Sequence, residues 1–471
     1  MRNAAWIILA IALLTAFVLV PPAALPVGEK ELTMAVWGMP FEDQLFRDGY
    51  ARGFEELHPG WGIRYQRHTQ IVEKYNAWHV QGRGADVMRL GIDYYHAFVD
   101  KGMLTPLNQF INDPEVGLSE AEVADYFPEI WEQLIVGDDI YALPSDNAQY
   151  GLYYNRTLFD KWNAAHPEER IENPTSEWTW DDFARAARLL TIKDARGRTV
   201  QYGIMFDLWA WPFMAFLHQA GGTLWDETAT TTLIDSPEGV EALEFLVSII
   251  PEDAPIKAMG HAESAAGPVQ LFKVGSLAIL LHGSWGAPSI ELDSPDLDYA
   301  IAPLPRGRRR AVVSGSVLWG VSSHSKNPRK AWEMIRWMTS ERQALRYWDS
   351  LRVAPPALLS VVRSEAFRST TGLITPDGVV RIPPLRREQY ADRAAWLEYA
   401  VTPHPETGEA PGFVEASRYQ LDLQTAITAA LVNAVRKGAS AQQALDKAAS
   451  DVHQIIDRDR AAKGLPRIVR E

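Results

Sequence analysis

Seventeen tryptophans are spread over 471 residues, and several stand beside glycine or proline instead of inside an apolar run. Trp37 closes a β-prone stretch ahead of Gly38, Trp209 and Trp211 share the segment DLWAWPF, Trp285 sits in HGSWG, and Trp319 follows Gly315-Ser316. Strand ends are where open α/β sheets receive ligands. An indole placed there can stack on the apolar face of a sugar ring, while carboxylates, amides and arginines bond the hydroxyls at its rim. Asp93, Asp146 and Arg352 also lie at element ends and are suited to that second task. A single tryptophan also suits a core or a lobe interface, and a single carboxylate a solvated loop. The set of indoles, each at a break, points to a ligand.

Catalytic constellations are missing. There is no H-E-x-x-H, no G-x-S-x-G and no cysteine, and the eleven histidines show no ligand spacing. A carboxylate pair for glycoside hydrolysis stays open among 60 acidic residues, because its test is a distance in space. The one basic run, Arg306 to Arg310, reads as a solvated turn between strands or as a contact for an anionic or protein partner.

Positioning these residues requires a sheet. ELTMAVWG (Glu31–Gly38) is apolar and β-prone, and Phe46, Tyr50, Phe54 and Leu57 recur at helical spacing until His58-Pro59-Gly60. WGIRYQRH alternates, a polar helical stretch follows, and ADVMRL (Ala85–Leu90) is a short apolar strand. Strand, helix, strand, helix, strand is the order of a doubly wound sheet. Thr179 with Asp182, Asn327 with Pro328, and Ser440 with Gln443 predict three later helix starts. SLAILLHG, LDYAIAPL and SVLWGVSS predict further strands. Leu277–Leu281 reads as a buried strand, and the glycines 283 and 286 let the chain turn tightly at its end, beside Trp285. Residues 352–412, rich in Pro-Pro pairs, read as extended or short-helical material over a surface.

With 47% hydrophobic and 23% charged residues the chain is long enough for two or three packed domains. A net charge of −14 argues against a nucleic-acid partner. The absence of cysteine excludes disulfides, thiolate metal sites and a lipid-modified N-terminal cysteine. Residues 1–27 carry one early cation, an apolar run from Ala4 to Val20 and a Pro-Pro-Ala-Ala break, which reads as a signal peptide or an uncleaved N-terminal membrane anchor. Either places the remaining chain outside the cytoplasm. Nicotinamide and ATP-driven chemistry do not fit that location, and no G-x-x-x-x-G-K-[ST] is present.

Taken in order, the segments GRGADVMRLGIDYYHAFVDKGMLTPLNQFI, IYALPSDNAQYGLYYNRTLFDKW, FKVGSLAILLHGSWG, YAIAPLPRG and SGSVLWGVSSHSKNPRKAWEMIRWM resemble the extracytoplasmic solute-binding proteins of ABC importers, in the class with the maltose-binding and related oligosaccharide-binding proteins. The resemblance implies an α/β, two-lobed, periplasmic-binding-protein-like (class II) fold, each lobe a doubly wound sheet, with a hinge between them. It implies lobes of residues 30–144 plus 303–348 and 149–299 plus 350–471, with crossings near Pro144–Ala148, Ala300–Pro303 and Ser350. It implies a non-enzymatic receptor without cofactor or metal, a monomer that delivers a sugar to membrane permease subunits from the periplasm. Ligand contacts carried over from the family are Trp37, Asp93, Ser145, Asp146, Trp285, Gly315, Ser316 and Arg352. Trp209 and Trp211 are added from the residues alone. The alternatives are the same fold with a glycerol-phosphate-type or other small anionic solute, and an exported glycoside-active enzyme.

Overall fold

β1 (Glu31–Val36) is buried from its second residue onward, as a strand covered on both faces must be. This computed structural model describes residues 30–257, 267–351, 353–365, 367, 412–413, 415 and 417–470. The 1–27 segment, Arg352 and most of 352–412 lie outside them. β1 pairs in parallel with β2 (Gly62–Arg67) and β3 (Val87–Gly91). Helix α1 (Ile71–Val80) crosses between those two, and α2 (Ile92–Asp100) leaves the end of β3. The chain then forms β4 (Ala142–Pro144) and β5 (Ala148–Asn155). After α3 (Trp180–Leu189) come β6 (Thr199–Phe206), α4 (Ala210–Gln219), β7 (Leu277–Gly283) and α5 (Gly286–Asp293). β8 (Tyr299–Ala302), β9 (Val312–Gly315) and β10 (Val317–Val321) follow, then α6 (Pro328–Met338), α7 (Glu341–Leu351), α8 (Gln420–Lys437) and α9 (Ala441–Ala462).

The strands make two main sheets. The first has the order β2-β1-β3-β10-β4. The second is built around β5, with β7 and β6 on one side and β8 and β9 on the other, and short edge strands at Ile192–Lys193 and Gly412–Phe413. Each sheet has its own apolar core, and α8 and α9 pack into the core of the second. This is the two-lobed α/β arrangement expected. Val312–Gly315, expected in the first lobe, pairs instead with the second sheet, so the return crossing falls at Ser316 and not near Pro303.

Local signals held in part. Thr179 Oγ1 accepts the Asp182 N–H at 3.2 Å while the Asp182 carboxylate accepts the Thr179 N–H at 2.9 Å, and Ser440 Oγ accepts the Gln443 N–H at 3.2 Å. Asn327 makes no side-chain cap, and α6 starts on Pro328 alone. A wide helical turn at Leu45–Ala51 rotates the helix that continues from it, and Leu57 is left 58% exposed instead of buried with Phe54.

The basic run does lie in the turn between β8 and β9, but its arginines are spent on the second lobe. Arg308 donates to the Ala220 carbonyl, and Arg309 donates to the His218 and Gly222 carbonyls at 2.5 and 2.6 Å. These carbonyls lie at and just beyond the C-terminal, negative dipole end of α4, a natural sink for guanidinium charge. Arg310 pairs with Glu177.

Among the described residues two segments cross between the lobes, and the stretch Pro355–Ala357 runs beside them. Ser145–Asn147 joins β4 to β5, and Ser316 joins β9 to β10 with its neighbour Val317 accepting the Ser145 N–H at 2.8 Å. On the other side the Asn147 N–H meets the Pro355 carbonyl at 2.7 Å and the Ala357 N–H meets the Ser145 carbonyl at 3.2 Å. Between the first two, the Asp146 carboxylate accepts the Val317 N–H at 2.8 Å and the Tyr347 hydroxyl at 3.3 Å. Asp146 is 1% exposed, and burial pushes its carboxyl up to about 7 against the pull of that N–H, Arg89 and Tyr347.

Two outcomes are expected. Asp146→Ala strands a buried N–H and costs about 1–3 kcal/mol in urea unfolding, whereas Asp146→Asn keeps the acceptor and costs less. Because the folded carboxyl titrates above its ordinary 3.8, the native state holds the extra proton, and stability falls as pH rises from about 4 to about 7. The difference in melting temperature between the wild type and Asp146→Asn should therefore change through that window and be flat above it.

Candidate functional site

The second lobe brings its indoles together. β6 ends at Phe206, and Trp209 takes the position just before α4, with extended backbone at φ −140 and ψ 177, while Trp211 occupies the helix's first turn. β7 ends beside it, and Trp285 precedes α5. Trp209 and Trp211 stack with ring centroids 5.1 Å apart and planes 10° apart. Trp285 stands edge-on to both, at 5.8 Å and 85° and at 5.4 Å and 82°. Such offset and edge contacts are the ones the ring quadrupole favours, each about 0.5–1.5 kcal/mol beyond area burial.

Two glycines make room for this cluster. A Cβ on Gly315 would lie 2.6 Å from Trp211 Cη2, and a Cβ on Gly283 would fall into the Trp285 ring. The same point on Gly315 lies 3.9 Å from Ile92 Cγ2 of α2, which places the Gly315 backbone near the first lobe.

The first lobe contributes Trp37 at the end of β1. Its ring lies under the Arg89 guanidinium at 4.5 Å, and Arg89 Nη1 donates to the Trp37 carbonyl at 2.5 Å. Arg89 is 1% exposed, points inward from β3 and is neutralised by Glu42 at 3.0 Å. Tyr94, in the first turn of α2, has its phenol held above the ordinary range by burial, with the Trp37 indole beside it.

Several buried polar atoms on these strand ends and first turns have no hydrogen-bond partner at good geometry among the described residues. They are Asn147 Oδ1, Trp211 Nε1 and Ser284 Oγ, on the crossing and second lobe. Native proteins pair nearly all such groups, so this junction is a candidate place for the oxygens of a ligand.

Of the residues predicted from sequence, Trp209, Trp211, Trp285 and Gly315 form one cluster, while Trp37 packs in the first lobe against Arg89. Asp93 faces another way: its carboxylate accepts the Gln424 amide of α8 at 2.7 Å, an inter-lobe bond, and burial pushes its carboxyl up. Ser145, Asp146 and Ser316 belong to the crossing. The Ser316 hydroxyl donates to the Asp146 carbonyl at 2.6 Å, and the Asp146 carboxylate is spent on Val317 and Tyr347. Trp319 fills the first core, edge-on to Phe46 at 5.9 Å and 74°. Arg352 lies outside the described residues.

Other residues were passed over. An arginine inside the apolar strand ADVMRL was the signal for Arg89, since a buried charge needs a dedicated partner. Asp207 directly follows β6 and His282 is the penultimate residue of β7, each just ahead of the indoles. Their carboxylate and imidazole stand 3.9 Å apart. Burial pushes the Asp207 carboxyl up to about 6, and burial helped by Lys273 pushes His282 down to about 4.

Residues 38–345 match the family of bacterial extracellular solute-binding proteins. The chain belongs to that family. A mannitol-binding protein of Pseudomonas aeruginosa is 25% identical over 385 residues, covering 76% of this chain and 80% of its own. A maltotriose-binding protein of Pyrococcus abyssi is 21% identical over 318 residues, covering 65% and 62%. Among solved structures, an ABC substrate-binding protein of Listeria monocytogenes in complex with cycloalternan superimposes with a TM-score of 0.71 at 19% identity, over 93% of this chain and 99% of the other. The two sheets and their crossings are thus those of a two-lobed solute-binding protein, and membership of this extracellular family places its work outside the cytoplasm.

In this solute-binding protein the Glu42–Arg89 pair fixes the Trp37 side of the junction. Glu42→Ala leaves the Arg89 charge buried without its counterion and is expected to cost about 3–5 kcal/mol in urea unfolding. Glu42→Leu combined with Arg89→Met should recover most of that loss, which separates the uncompensated charge from lost packing.

Proposed function

We propose that this solute-binding protein is the receptor of an ABC importer that captures a sugar or oligosaccharide between its lobes and hands the closed form to the membrane permease. The observation that carries this reading is the cluster of Trp209, Trp211 and Trp285 at the lobe junction, with the buried Trp211 indole N–H left for an acceptor from outside the chain. Apolar ring faces combined with a few neutral donors and acceptors are the complement of a pyranose or a polyol. The relatives named for maltotriose and mannitol, and the neighbour holding cycloalternan, support the same class. Arg89, the cation beside Trp37, is already neutralised by Glu42, which favours an uncharged ligand over an anionic one.

Capture follows from differential affinity. A ligand that touches both Trp37 and the second-lobe indoles gains its full contacts only when the lobes are shut, so binding draws the open population into the closed one. Bonds between α2 and the C-terminal helices support the closed form from the outside: Asp93 with Gln424, and Asp100 with both Arg418 and Lys463, each at 2.7 Å. The work is binding, with no bond made or broken in the ligand. Before export the apolar N-terminal segment serves as signal or anchor.

Titration with maltotriose, other malto-oligosaccharides, mannooligosaccharides and mannitol, followed by tryptophan fluorescence and calorimetry, should find a saturable ligand. Trp285→Ala should weaken it at least about tenfold, since a lost stacking aromatic is worth about 1.4 kcal/mol or more. Silence across the neutral panel, together with binding of glycerol phosphodiesters, would favour the anionic-solute reading instead.

A further inference from the structure

We infer that Asp207 and His282 form a hydroxyl-reading pair at the second-lobe wall of the site: one ligand hydroxyl donates to the Asp207 carboxylate and accepts from His282 Nδ1. This rests on the sugar-receptor reading and adds to it the chemical test that the site applies to its ligand.

The two groups come from the ends of neighbouring parallel strands, β6 and β7, and each precedes the indoles it would work with, Trp209 and Trp285. Their side chains are only 14% and 11% exposed. Nδ1 and the carboxylate are 3.9 Å apart, too far for a direct hydrogen bond. An oxygen placed about 2.8 Å from each fits across that gap at normal hydrogen-bond length. His282 Nδ1 is buried without a partner among the described residues, and its ring lies 5.6 Å from that of Trp285.

The surrounding charges fit a neutral imidazole and a carboxylate that seeks a donor. Lys273 faces His282 and is itself paired with Asp293 at 2.6 Å. Tyr150 faces Asp207 but donates its hydroxyl to the Leu281 carbonyl at 2.9 Å, so it does not satisfy the carboxylate. The nearby Tyr153 hydroxyl is likewise donated, to the Gly283 carbonyl at 2.8 Å. A carboxylate beside the ring favours the Nδ1–H tautomer, which makes the pair one acceptor and one donor aimed at a single atom. Alcohols meet both demands, whereas an ether or a deoxy position fails at least one and leaves a buried group unpaired.

The test is calorimetry of the full chain with maltotriose, mannotriose and mannitol, for wild type, Asp207→Asn, Asp207→Glu and His282→Gln, between pH 5 and 7.5. For a probe that binds the wild type, affinity should rise with pH through about 6 as Asp207 ionises. Asp207→Asn should bind at least about tenfold more weakly and lose that pH dependence, and Asp207→Glu should restore the slope. His282→Gln should weaken the same probe while keeping the slope. If Asp207→Asn binds within twofold of wild type with an unchanged pH profile, the pair reads nothing and the inference falls while the receptor reading stands. Should Asp207→Asn not fold, His282→Gln and the Asp207→Glu slope decide in its place. If no neutral probe binds the wild type at any pH, the receptor reading itself fails and this inference with it.

Discussion

Everything in the molecule hangs on a carboxylate bonded to a backbone N–H where two strands part. β4–β5 and β9–β10 run side by side from one sheet into the other, and sheets that face different ways cannot keep a regular ladder through the crossing. The Asp146 side chain fills the gap by accepting the Val317 N–H, and the Ser316 hydroxyl returns a bond to the Asp146 carbonyl. The crossing is thereby satisfied without a continuous ladder, which leaves few bonds to rearrange when the lobes swing. It is also costly: the carboxyl is buried, and a neighbouring buried ion pair, Arg89 with Glu42, shares its field.

From that crossing the site is laid out by strand ends. Gly315, one residue before the crossing serine, leaves the space that a Cβ would take from the Trp211 ring. The residue that must be small for the indole to approach is therefore next to the crossing. Trp209, Trp211 and Trp285 brace one another at right angles and in stacks, so their outer faces and N–H groups are presented in fixed directions. Rigid aromatic walls lose little conformational freedom on binding, which suits the role proposed for them.

Charge is handled differently in the two lobes. In the first, Arg89 is consumed by Glu42, the Trp37 carbonyl and two aromatic faces. In the second, the run at Arg306–Arg310 makes the solvated turn between β8 and β9, and its arginines reach the carbonyls at the end of α4 and acidic partners, which ties the loop to its own lobe. Most conspicuous cations in the sequence thus serve packing, and the junction is left to neutral groups and to Asp207.

The sequence alone determined the α/β alternation, the capped starts of α3 and α9, the buried run of β7 and the tryptophans that gather at the junction, because each depends on short-range spacing or on residue type at a strand end. The resemblance supplied the two-lobed plan. Only the tertiary structure decided which polar residues face the junction. Asp93 was turned toward α8, and Asp146 and Ser316 were spent on the crossing, since each found a protein partner that sequence could not place beside it. Asp207 and His282, unremarkable in sequence, became a pair because β6 and β7 lie next to each other although some seventy residues of chain separate them. Whether a polar group is available to a ligand depends on what else is within about 3 Å of it, and that is a property of packing, not of spacing.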